Sequence, residues 1–79
     1  MNYKYITIEQ HRVSRNGRSQ YTVLGKNSKV LGFIRWHIYE VSEPEYILEC
    51  DAYQSSGFDP ESLRDIANFC EEQTLKQKG

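Results

Sequence analysis

The sequence predicts an α+β fold: a four-stranded antiparallel meander sheet with one C-terminal helix packed on one face. Three observations predict it. Four β-rich runs are separated by turn signals, a complete helix start lies near residue 60, and 79 residues leave room for one domain only. Composition agrees, with 38% hydrophobic, 27% charged and 13% aromatic residues, which is an ordered globular profile.

The first predicted strand spans Tyr3 to Val13, an alternating run rich in β-formers. Asn16-Gly17 follows as a two-residue hairpin turn, since both turn positions need positive φ. A second strand is expected from Arg18 to Gly25. Lys26 to Lys29 reads as a four-residue loop, and Val30 to Val41 as a long third strand. Ser42-Glu43-Pro44-Glu45 interrupts it, because proline cannot donate to a ladder. Tyr46 to Tyr53 is the fourth strand.

The helix start is the strongest local signal. Asp59 is placed to cap, Pro60 sits at the first helical position, and Phe58 can staple onto Leu63. Leu63, Ile66, Ala67, Cys70 and Thr74 then share one face at helical spacing, with Phe69 at its edge. Glu61 and Asp65 near the start, and Lys76 and Lys78 near the end, suit the helix dipole.

Turn lengths set an expected register. The Asn16-Gly17 turn pairs Arg15 with Arg18 and puts Ile6, Ile8, Tyr21 and Val23 on one face. The 26–29 loop pairs Gly25 with Val30 and adds Ile34, Trp36 and Ile38. A loop centred on Glu43 pairs Ile38 with Leu48 and Trp36 with Cys50, burying Cys50 against the helix. The opposite face then carries Tyr3, Tyr5, Thr7, Thr22, Leu24, Phe33, Arg35, His37, Tyr39, Ile47, Glu49, Asp51 and Tyr53. One helix cannot cover both faces, so this aromatic face is expected to be exposed.

Such a surface suggests an interaction site. Tyr5, Phe33, Arg35, His37, Tyr39 and Tyr53 are the expected binding residues for a protein partner, since aromatics and arginine are enriched at interface centres. Arg15, Arg18 and Lys26 offer further basic contacts. Single-stranded nucleic acid is the alternative partner, its bases stacking on the same aromatics. Self-association as a structural homo-oligomer, such as a homodimer, is a third reading. The expected register sets Asp51 opposite Arg35 and Glu49 opposite His37, and it brings Arg12, Arg15 and Arg18 to the end of the sheet holding Glu40, Glu43 and Glu45. These pairings cancel charge, whereas phosphate binding needs uncompensated cations. A protein partner is therefore the favoured reading.

Little points to catalysis. His11 and His37 have no zinc-ligand spacing, and no Gly-rich phosphate loop is present. No catalytic residue, metal, cofactor or small-molecule substrate is implied, and the chain reads as a non-enzyme. Cys50 and Cys70 lack a CxxC neighbour and read as free buried thiols of a reducing compartment, so the expected location is the cytoplasm. No apolar run reaches the ~20 residues of a membrane span, and the first residues do not form a secretory signal.

Leu31-Gly32-Phe33-Ile34-Arg35-Trp36, a polar turn, an aromatic strand, Phe58, and Ser62-Leu63-Arg64-Asp65-Ile66-Ala67-Asn68-Phe69 follow in order. Together they resemble a group of small proteins carried by bacteriophages and other mobile elements. That group shares a Gly-x-Ile-(Arg/Lys)-Trp strand and a terminal Leu-(Arg/Lys)-Asp-Ile-Ala-x-Phe helix. The resemblance covers roughly residues 31–72. The sequence departs from it between Tyr39 and Tyr46, where the group often has a second Trp near an Arg. The resemblance implies a phage-encoded protein of the host cytosol that binds and blocks a host factor, including components of immunity. It assigns no role to particular residues.

Overall fold

The structure, a computed structural model, describes residues 1–13, 18–50 and 58–78, with backbone only at residues 12 and 13. Strands β1 (Thr7–Val13), β2 (Ser19–Leu24), β3 (Val30–His37) and β4 (Glu45–Glu49) form one antiparallel sheet in the order β1-β2-β3-β4, and helix α1 (Pro60–Lys78) follows. This is the predicted ββββα arrangement. The Asn16-Gly17 turn and the Arg15–Arg18 pair lie at least partly outside the described residues, and Tyr53 and Asp51 lie wholly outside them.

The core forms where side chains of alternate strand positions meet the helix. Ile6, Ile8, Val23, Ile34 and Tyr46 are buried with Ile66, Phe69 and Cys70, and Tyr21, Trp36, Leu48 and Phe58 pack around them. Burying each large aliphatic side chain is worth about 1.5–3 kcal/mol relative to exposure. Aromatic edges organise the layer. Tyr21 meets Phe69 at 4.8 Å and Tyr46 meets Trp36 at 5.2 Å between ring centroids, both nearly perpendicular.

Several register expectations are corrected. β1 begins at Thr7, not Tyr3, because the chain reverses over residues 3–6. The Tyr3 amide donates to the Ile6 carbonyl, and Met1 exchanges two hydrogen bonds with Ile8. In β1–β2, Ile8 pairs with Val23, a two-residue offset from the expected hairpin, and a bulge at His11 reduces the offset to one. The 26–29 loop is shorter than expected. Its hydrogen bonds close at Gly25 and Lys29, with Ser28 at φ 57°; the β2–β3 register is as expected at Tyr21–Ile34, Thr22–Phe33 and Val23–Gly32, and an irregularity beside the loop then sets Leu24, not Gly25, opposite Val30. A residue with positive φ following a turn is the usual companion of such a bulge.

The largest shift is between β3 and β4. Ile34 pairs with Leu48 and Trp36 with Tyr46, four residues from the expected register. β3 stops at His37, so Ile38 is 69% exposed instead of buried. Because four is even, the apolar side chains keep their face. Cys50 does not: it lies beyond β4 and is exposed. Gly32 explains why the strands can close there. A Cβ at Gly32 would stand 2.9 Å from the Glu49 carbonyl oxygen and 3.3 Å from the Cys50 Cβ.

The helix starts as predicted but is rotated. Asp59 accepts from the Ser62 amide at 3.0 Å and from the Ser62 hydroxyl at 2.6 Å, which turns Ser62 inward. The sheet-facing stripe is accordingly Ser62, Ile66, Phe69 and Cys70, and not the stripe centred on Leu63 and Ala67. Leu63 is 47% exposed, while Phe58 packs on the core. At the other end, Lys78 pairs with Glu43 at 2.8 Å, tying the β3–β4 connection to the last turn.

Candidate functional site

Alternation along the strands sends one set of side chains away from the helix. Thr7 and Glu9 of β1, Thr22 and Leu24 of β2, Phe33, Arg35 and His37 of β3, and Glu45, Ile47 and Glu49 of β4 form this outer face. Among the described residues no element covers it. Phe33, between Thr22 and Glu49, is 45% exposed. The His11 ring, displaced by the bulge, leans on Phe33 with centroids 6.3 Å apart. At the end of β3, His37 meets Tyr39, two residues beyond the strand, edge to face at 4.5 Å.

Charge on this face is compensated and then acidic. Arg35 forms an ion pair with Glu49, which lies diagonally across the ladder and not opposite His37 as expected. His37 is opposite Glu45, and Tyr39 also borders Glu45. Partial desolvation and that carboxylate raise the Tyr39 hydroxyl above its ordinary range.

The structure thus brings Phe33, Arg35, His37 and Tyr39 together, and it removes three expected members. Tyr5 lies at the helix start, lining a cleft with Asp59, Pro60, Glu61 and Arg64. The residue 3–6 reversal takes it off the outer face. Lys26 sits with it, its ammonium 5.3 Å from the Tyr5 ring centre. Arg18 lies over the Trp36 ring at 4.9 Å, and Trp36 points toward the helix side. Tyr53 and Arg15 are outside the described residues. His11 is the member sequence reasoning missed, since no signal in the chain marks the bulge.

A second surface lies on the helix side. The rotation of α1 leaves Leu63, Ala67 and Leu75 beside the outer edge of β4, where they line an open groove of about 640 Å³. Its floor is Tyr46, Leu48, Ile66 and Cys70, and among the described residues its charged lining is Glu45 and Glu71. Burial, aided by those two carboxylates, pushes the Cys70 thiol up to about 11, so it stays protonated and unreactive near neutral pH.

Among the described residues no cluster of His, Cys, Asp and Glu could hold a metal ion, and no helix is long and apolar enough to cross a membrane. Comparison with protein-family models, curated proteins and solved structures finds no match to the chain.

Proposed function

We propose that this chain is a non-enzymatic protein-binding module of the cytosol whose outer sheet face docks a protein partner. The carrying observation is Phe33, an aromatic side chain 45% exposed near the middle of a sheet face that no other described element covers. Arg35, His37 and Tyr39 extend the surface, and His11 widens it. A half-exposed aromatic ringed by polar groups has the composition of an interface centre with its rim.

Charge favours a protein over single-stranded nucleic acid. Arg35 is paired with Glu49, and Glu9 and Glu45 add negative charge. Arg18 and Lys26, the cations a nucleic-acid groove would use, are engaged with Trp36 and Tyr5 off this face. The resemblance to mobile-element proteins supports a narrower reading: the chain is phage-encoded and blocks a host protein, such as a component of host defence.

The test is photo-crosslinking capture in host lysate with the wild-type chain and with the double variant Phe33→Ser, Tyr39→Ser. A defined partner captured by the wild type and lost with the variant is expected. Equal capture by a variant that retains its fold would overturn the site. Retardation of single-stranded DNA by micromolar protein at low salt would instead establish the nucleic-acid reading.

A further inference from the structure

Helix α1 has more apolar surface than the sheet covers. Leu63, Ala67 and Leu75 lie beside the outer edge of β4, which pairs with no further strand among the described residues and where a further strand would continue the sheet. The backbone at this edge is half occupied. The Tyr46 N–H points outward and donates to the Thr74 hydroxyl at 3.0 Å. Alternation in an antiparallel ladder turns the Leu48 N–H and C=O the same way, two residues on, where no helix side chain meets them. Edge groups beside an apolar overhang are the two elements that strand addition uses, the backbone supplying affinity and pockets supplying selectivity.

The other sheet edge is partly closed. Met1 occupies both backbone groups of Ile8, and Asn2 bridges to Thr7. Charge then selects the occupant of the open edge. Glu45 and Glu71 both line the groove, and neither makes an ion pair with another described residue. A second copy of this chain is a poor fit. β4 is Glu-Tyr-Ile-Leu-Glu, so copies paired through it would bring carboxylates against carboxylates, which destabilises a ladder.

From this geometry we infer that the α1/β4 groove receives an extended segment of a partner protein as a fifth strand. The segment carries apolar side chains at alternate positions and lysine or arginine at its ends. Its apolar side chains fill the space under Leu63, Ala67 and Leu75, its backbone bonds Leu48, and its cations meet Glu45 and Glu71. Apart from Glu45 and Ile47 on its β4 rim, which also belong to the outer face, the groove residues lie on the opposite side of the sheet from Phe33, and the inference does not rest on the outer-face reading.

The experiment titrates the full chain into fluorescein-labelled peptides and reads anisotropy. The probes are Lys-Val-Thr-Val-Thr-Val-Lys, the same peptide with glutamate at both ends, and a lysine-ended peptide with a central proline. The lysine-ended peptide is expected to bind at least about tenfold more tightly than either control, in the range that one or two charge pairs and lost ladder bonds supply. Leu63→Ser with Leu75→Ser should weaken it about tenfold, both side chains being exposed enough for the variant to fold. Glu71→Lys should narrow the preference for lysine ends, and Phe33→Ser, on the outer face, should leave binding unchanged. Absence of binding at millimolar peptide would overturn the inference. So would equal affinity for both charge types, or indifference to the Leu63 and Leu75 changes. A dimer in sedimentation equilibrium that those changes dissolve would also overturn it, giving the groove to a second copy. Loss of peptide binding in the outer-face variant alone would move the site to the Phe33 side.

Discussion

The backbone N–H of Tyr46 donates a hydrogen bond to the hydroxyl of Thr74, 28 residues later in the chain, and the Thr74 hydroxyl in turn donates to the Cys70 carbonyl at 2.7 Å. A helix side chain thus serves as the partner that a neighbouring strand would otherwise supply. Thr74→Val keeps the shape and deletes the acceptor, leaving the amide unsatisfied. Urea unfolding should show a loss of about 1–3 kcal/mol, and Thr74→Ser should recover most of it.

Gly32 faces the end of β4 too closely for any side chain. With the Glu49 carbonyl 2.9 Å from a prospective Cβ, Gly32→Ala must displace backbone, not a flexible tip. A destabilisation of about 1–3 kcal/mol is expected. Amide exchange should accelerate first at Leu48 and Glu49.

Asp59 titrates in a way that couples folding to acid. Hydrogen bonds from the Ser62 hydroxyl and amide hold its carboxyl below the usual carboxylate range. A lowered folded-state pKa adds stability above the ordinary value, and that stability disappears as pH falls through the lowered one. Asp59→Asn should therefore flatten the acid limb of a Tm-against-pH curve and leave its upper limb unchanged.

The two thiols should separate cleanly. Cys50 is exposed and Cys70 buried. A disulfide-exchange reagent at pH 8 is expected to modify one equivalent rapidly in the native protein and the second only after denaturation, with Cys50→Ser abolishing the fast phase. The sign of the alkaline effect is opposite to that of Asp59. The folded-state pKa of Cys70 is raised to about 11, so its contribution is complete below about 9, the unfolded value, and is lost as pH rises toward about 11.

The elements were legible in the sequence because each rests on local chemistry. Asp59-Pro60 starts the helix, Pro44 interrupts the ladder, and alternation identifies the strands. The inner face survived because the register between β2 and β3 was as expected over residues 21–23, and the errors at Ile8 and along β4, of two and four residues, are even, so Ile8, Val23, Ile34 and Tyr46 still point one way. What was illegible depended on longer distances. The bulge at His11, the reversal that removes Tyr5 from the sheet, and the phase of α1 follow from packing between segments far apart in sequence. Ser62 illustrates the last. A polar residue at a predicted non-core position became 1% exposed because Asp59 consumed both its donors. That rotation produced the groove. Phe33, Arg35 and His37 were legible as a group because neighbours on one strand stay neighbours in any register, although the partners across from them changed; Tyr39, beyond the end of β3, joins them through its ring contact with His37.

Trp36, the sole tryptophan, stands between Arg18 and Tyr46, and its indole nitrogen is buried with no acceptor among the described residues. In optical terms the protein carries one indole, on the helix side of the sheet, with the Arg18 guanidinium over its ring and its N–H buried. Its emission is a private gauge of the β3–β4 junction. Unfolding should shift it to the red, while a ligand on the Phe33 side has no route to it except through the strand itself.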